Sequence, residues 1–173
     1  LIFILFAGMR ELFSVFKKKK SMILLSIVLI LSLICIYYLR EKTENLLYFA
    51  IAVTISSDIG GYIFGKIFKW KKLTKISPKK TYSGVLGSYF FSIVCLFIWT
   101  ELVSSNLQVS FKTLLITIIF STVAQIGDLI ISYFKRLEKI KDTGKVLPGH
   151  GGIFDRIDGL MFVVIIATIY YHL

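Results

Sequence analysis

Residues 147–162 read LPGHGGIFDRIDGLMF, a glycine cluster with one histidine, two aspartates and an arginine set against an apolar run. Asp155 and Asp158 are three residues apart, so a helix beginning near Ile153 carries both on one face. Hard cations such as Mg²⁺ take oxygen ligands, usually one or two carboxylates, several waters and the phosphates of a substrate. Gly149, Gly151 and Gly152 let backbone N–H groups approach an anion, as phosphate-binding turns do. A helix N-terminus just after them adds a favourable dipole. The chemistry this spacing suits is the joint binding of a divalent cation and phosphate.

Two more carboxylates stand inside apolar runs, where each costs several kcal/mol or more unless it faces a cavity or a partner. Asp58 shares a helical face with Thr54, Ser57, Gly61 and Gly65. Asp128 belongs to a stripe of Ser121, Gln125, Ser132 and Lys135. Both lie toward the same end of their runs, beside basic connections, which favours a metal and phosphate site over two separate packing features. A third stripe, Gly84, Ser88, Ser92 and Cys95, is read as close helix packing, because small residues let backbones approach.

The elements that must position these groups are apolar helices. The chain has 173 residues, 56% hydrophobic and 15% aromatic, beyond the usual range of soluble domains. Crossing a bilayer takes about 20 helical residues, and five runs qualify by eye: 21–39, 46–68, 83–103, 110–134 and 157–173. The expected fold is all-α, a polytopic transmembrane bundle of about five spans plus an N-terminal apolar segment. It forms a single membrane domain, with N-terminal spans in 1–45 that a missing upstream stretch would extend, and a catalytic region in 46–173. The sequence opens on Leu1 within LIFILFAG with its lysines after the apolar run, so no cleaved signal peptide is expected.

The net charge of +11 is concentrated in three segments: Lys17–Lys20, residues 66–80 with seven lysines, and residues 135–145. Lysine and arginine mark cytoplasmic connections, so all three fall on that side and the C-terminus falls outside. Lysines beside a membrane also attract anionic lipid heads, which accounts for the charge without nucleic acid. Cys35 and Cys95 lie in apolar spans at no metal-ligand spacing.

From Ser132 to Asp158 the chain reads SYFKRLEKIKDTGKVLPGHGGIFDRID. This resembles the signature of the phosphatidate cytidylyltransferase family, the CDP-diacylglycerol synthases: S-x-hydrophobic-K-R, K-D, P-G-H-G-G and D-R-x-D at matching spacings. SSDIGGYIFGK (56–66), ISPKKTYSG (76–84) and QIGDL (125–129) resemble three further family segments. The resemblance covers roughly residues 50–173. Ser83 and Ile131 stand where the family usually or often has glutamate, and Gly61 where alanine is common.

The resemblance implies an enzyme of phospholipid biosynthesis at the cytoplasmic face of the cell's inner membrane. Its reaction joins phosphatidic acid and CTP to give CDP-diacylglycerol and pyrophosphate. The lipid phosphate is already largely dianionic at neutral pH, so catalysis rests on positioning and charge neutralisation more than on a general base. Catalytic roles then fall to Asp128, Asp155, Asp158, Lys135 and Arg136. Asp128 and Asp155 are the expected Mg²⁺ ligands, with room for a second cation, and Asp58 and Asp158 stand close by. Lys135, Arg136, Lys79, Lys80 and Arg156 are expected to meet triphosphate or lipid phosphate, and Ser77 and Ser132 to add hydrogen bonds. Lys141, Asp142, Gly151 and Gly152 complete the substrate-binding set with His150, for which a turn-stabilising or phosphate contact is preferred to proton transfer. Partners are CTP, phosphatidic acid and membrane lipids, and a homodimer is compatible with the lateral surface of the spans. The competing readings are a catalytically weakened paralogue serving as a membrane subunit, and a CTP-dependent polyprenol or phytol kinase.

Overall fold

The computed structural model describes residues 1–103, 108–144 and 152–173. They form six helices: α1 (Ile2–Val15), α2 (Lys19–Lys42), α3 (Glu44–Phe68), α4 (Tyr82–Leu102), α5 (Phe111–Leu137) and α6 (Phe154–Tyr171). The all-α expectation holds among the described residues, where the only extended pairing is an isolated bridge between Lys72 and Thr81.

Four helices, α2 to α5, are long and apolar enough to cross a membrane. The fifth expected span, α6, differs for a physical reason. Its 18 residues include Asp155, Arg156 and Asp158 near the start, so the uncharged part from Gly159 to Tyr171 is about 20 Å long at 1.5 Å per residue. That is shorter than a hydrocarbon core of about 30 Å. The N-terminal apolar segment folds as α1 and continues to Val15, past Arg10 and Glu11.

Helix ends follow local chemistry. Ser110 caps α5 by accepting the Thr113 N–H, while the Thr113 side chain accepts the Ser110 N–H, a reciprocal capping box. Thr81 caps α4 by accepting the Gly84 N–H. Lys69 ends α3 in the left-handed region at φ 47°.

Two apolar clusters hold the bundle. One joins Leu39, Leu47, Phe49, Val53, Leu96, Phe120, Val163 and Val164 among α2 to α6. The other joins Leu12, Phe16, Leu25, Leu29, Ile131, Phe154 and Met161, tying α1 and α2 to the end of α5 and the start of α6. The most extensive helix–helix contact is between α3 and α4. There a Cβ on Gly60 would run into the Gly87 carbonyl, one on Gly87 would run into the Gly60 carbonyl, and one on Gly84 would lie 2.9 Å from the Gly61 carbonyl. Ser88 donates to the Ser57 carbonyl across the same seam at 2.8 Å. In a membrane, helix association depends on such close packing and on interhelical hydrogen bonds. The small-residue stripe on α4 therefore sits where the sequence expects it.

This packing generates a prediction. Gly87→Val forces backbone against backbone and is expected to destabilise the bundle by about 1–3 kcal/mol, the usual scale of overpacking. Gly8→Ala meets only the Leu29 side chain, which can turn aside, so its thermal midpoint in detergent should stay close to the parent's. Thermal unfolding of the two variants checks the contrast.

Candidate functional site

A cavity of about 550 Å³ opens where the ends of α3 and α5 meet the starts of α4 and α6. Helix α3 supplies Asp58, Gly61 and Tyr62, α5 supplies Gln125, Asp128 and Lys135, and α6 supplies Asp155, Arg156 and Asp158. The connection between α3 and α4 supplies Ser77, Lys79, Lys80 and Thr81, and Asp142 comes from the connection after α5.

The α3–α4 connection reaches the cavity because it turns back on itself. Pro78 follows Ser77, whose carbonyl accepts the Lys80 N–H at 3.0 Å, a four-residue turn with proline in its favoured second position. Leu73 N–H donates to the Lys80 carbonyl and Tyr82 N–H to the Lys71 carbonyl. The folded-back strap carries the Lys80 ammonium to 2.6 Å from Asp128 Oδ2 and 3.1 Å from the Gln125 carbonyl. Asp128 Oδ1 accepts from Ser132 Oγ at 3.2 Å, one turn further along α5.

Asp155 is held differently. Its Oδ1 accepts from Lys135 Nζ at 2.9 Å, and its Oδ2 accepts from the N–H groups of Thr143 and Gly152 at 2.8 and 3.1 Å. The pair is well shielded, with the Lys135 and Asp155 side chains 10% and 11% exposed. Asp158 Oδ1 accepts from the Gly159 N–H at 2.8 Å. Asp58 makes no hydrogen bond or ion pair among the described residues and lines the open cavity. Asp58, Asp128 and Asp158 all line the same cavity, so three carboxyl groups converge on one space.

The cavity brings together most of the expected site: Asp58, Ser77, Lys79, Lys80, Asp128, Lys135, Asp142, Asp155, Arg156 and Asp158. Others stand behind it. Ser132 supports Asp128, and Gly152 gives its N–H to Asp155. Arg136 donates to the carbonyls of Ile76 and Ile140, fastening the strap to the end of α5, and does not line the cavity. Lys141 is exposed and also outside the lining. His150 and Gly151 fall outside the described residues. Ser83 is buried with its hydroxyl 3.0 Å from that of Thr81 and is not part of the lining.

Sequence reasoning missed Thr143, which is fully buried, and Glu11 of α1. Glu11 is 2% exposed, and its carboxylate accepts from the N–H groups of Ile153 and Phe154 and from the Thr143 hydroxyl. The signal in the sequence is an acid enclosed by apolar residues, in LIFILFAGMRELFSVF. Such a residue needs a partner, but spacing does not reveal one 142 residues away.

The residues suit a divalent cation in a limited way. Among the described residues no three carboxylate, imidazole or thiolate groups form a ready metal cluster. Lys80 already places a positive group on Asp128, with Asp58 and Asp158 facing the same space. That pattern fits an ion held by one or two carboxylates and completed by water and phosphate.

Carboxylates and cations thus converge on one cavity at the basic end of an apolar helical bundle, four of whose helices are long enough to cross a membrane. The chain matches the model of the cytidylyltransferase family over residues 1–173 and belongs to that family. It is 40% identical over 136 residues to the phosphatidate cytidylyltransferase of Staphylococcus haemolyticus, covering 77% of this chain and 52% of that protein. Over the same length it is 41% identical to the Staphylococcus saprophyticus phosphatidate cytidylyltransferase and 39% identical to that of Staphylococcus aureus. The chain spans about half the length of the curated relatives it matches.

The Lys135–Asp155 pair yields a second prediction. Lys135→Met leaves a shielded carboxylate without its cation, and breaking one side of a buried pair costs about 3–5 kcal/mol. Adding Asp155→Asn should recover part of that loss, as read from thermal midpoints of the single and double variants.

Proposed function

We propose that this chain carries the catalytic region of a phosphatidate cytidylyltransferase, transferring CMP from CTP to phosphatidic acid. The observation that carries the reading is the cavity itself: Asp58, Asp128 and Asp158 face Lys80, Lys135 and Arg156 at the end of an apolar bundle, in a chain of this family.

In this reading a phosphate oxygen of the lipid attacks the α-phosphorus of CTP. The new P–O bond forms as the bond to the β-phosphate oxygen breaks, and pyrophosphate leaves with that electron pair. The obstacle is the approach of one anion to another, which fixed positive groups relieve. Lys80, Lys79 and Arg156 face the cavity and can receive triphosphate, with arginine able to grip phosphate through two N–H groups. When bound, Mg²⁺ supplies charge neutralisation at the attacked phosphoryl group and the leaving pyrophosphate. Asp128, with Asp58 or Asp158 beside it, is the set that would hold it, with room for a second cation. Asp155, an expected ligand, has both oxygens engaged by Lys135 and backbone N–H groups and serves better to fix Lys135.

The lysine-rich ends support a cavity at the cytoplasmic face of the inner membrane, where a soluble nucleotide and a lipid headgroup would both reach it. The same assignment sends the C-terminus outward and gives α6, packed against α2 and α5, the role of a fifth membrane helix. The alternative, a catalytically weakened subunit, rests on Ser83 and Ile131, but neither residue lines the cavity. The resemblance carries the preference for cytosine, and a homodimer remains a proposal on the lateral surface.

The test is incorporation of labelled CTP into lipid by the purified chain in micelles containing phosphatidic acid and Mg²⁺. CDP-diacylglycerol should form and cease on chelation, and Asp128→Asn should lower the rate at least about 100-fold, the scale of losing one charge-stabilising group. A folded, CTP-binding chain that makes no product would favour the weakened subunit.

A further inference from the structure

Helix α1 lies far from the cavity in sequence, yet its one carboxylate is committed to the start of α6. Glu11 Oε1 accepts the Ile153 N–H at 2.8 Å, and Oε2 accepts the Phe154 N–H at 3.0 Å and the Thr143 hydroxyl at 3.2 Å. The first N–H groups of a helix have no partner within it, and a carboxylate meets both that need and the positive end of the helix dipole. Two glycines make the room. A Cβ on Gly144 would lie 2.9 Å from Glu11 Oε1, and one on Gly152 would meet both Glu11 Oε2, at 2.5 Å, and the Thr143 hydroxyl.

Thr143 joins this contact to the cavity. Its hydroxyl goes to Glu11 while its N–H goes to Asp155 Oδ2, which also takes the Gly152 N–H. The other Asp155 oxygen takes Lys135. Glu11 and Asp155 together therefore bind the N–H groups of Gly152, Ile153 and Phe154 at the start of α6.

We propose that Glu11 is a positioning residue: from α1 it locks the first turn of α6, and through Thr143 and Asp155 it sets where Lys135, Arg156 and Asp158 present themselves in the cavity. The inference rests on the reaction proposed above for its kinetic consequence, but not for the lock itself. It makes α1 a structural part of the site, although α1 contributes nothing to the cavity lining. Polar groups that orient ligand-bearing side chains usually matter about 10–100-fold when removed.

The experiment uses the full chain with Glu11→Gln, which keeps the side-chain size while replacing one acceptor oxygen with a donor. Hydrogen exchange is measured first on peptides spanning 152–158, with peptides of α3 and α4 as internal reference. Exchange near 152–158 should quicken about tenfold or more while the reference is unchanged, since local opening free energies differ between segments. Unchanged exchange there would overturn the lock, whatever the activity. Kinetics follow, with kcat normalised to active sites counted by bound CTP and KM read separately. The lock predicts kcat lower by about 10–100-fold, with any rise in KM for CTP smaller than the fall in kcat, since Lys79 and Lys80 on the strap still receive triphosphate. Faster exchange with normal kcat would overturn the positioning role. A parent chain without transfer activity would sink the proposed reaction, and exchange alone would then decide the lock.

Discussion

An ionised carboxylate inside an apolar helical bundle must find a cation, a set of N–H groups or a water-filled space. This constraint organises the end of the molecule where α2 to α6 converge. Glu11 and Asp155 meet it with fixed partners: backbone N–H groups, the Thr143 hydroxyl and the Lys135 ammonium. Asp58, Asp128 and Asp158 meet it by facing a cavity, with Lys80 alone drawn onto Asp128.

The two groups of carboxylates are suited to different work. The first is saturated, which makes it rigid and a poor choice for exchanging ligands. The second is crowded and incompletely paired, so in the proposed reaction a cation entering with a polyphosphate would relieve repulsion among its carboxylates. Rigid α3–α4 packing through Gly60 and Gly87 supports this division, since it holds Asp58 and the strap bearing Lys80 on one frame. A lysine bound to Asp128 has only to exchange one anion for another when phosphate arrives.

Much of this was legible from residue types alone. Long apolar runs located α2 to α5, and the cost of charge in those runs singled out Asp58 and Asp128 before any partner was visible. The spacing of Asp155 and Asp158 placed both correctly on one side of α6. What sequence did not disclose were long-range pairings. Arg136 looked like a phosphate ligand because it follows Lys135, yet a one-residue step around a helix turns it away to clasp Ile76 and Ile140. Asp155 reads from its motif as a metal ligand, and the bonds it accepts from Lys135, Thr143 and Gly152 were not legible there. Glu11 was hidden because its partners are backbone groups, which every residue carries and no motif marks. The last helix has a shorter uncharged stretch than its apolar run suggests, because the site occupies its first turns.

The proposed occupant of the cavity between Asp58, Asp128 and Asp158 is a divalent cation together with a nucleoside triphosphate. Crystals grown with Mn²⁺ and a non-reactive CTP analogue test it directly, because Mn²⁺ replaces Mg²⁺ at oxygen sites and scatters anomalously. An anomalous peak is expected in contact with Asp128 and a phosphate oxygen, with the Lys80 ammonium moved from Asp128 onto phosphate. A nucleotide bound with its metal elsewhere, or Lys80 still seated on Asp128 beneath a bound nucleotide, would contradict it.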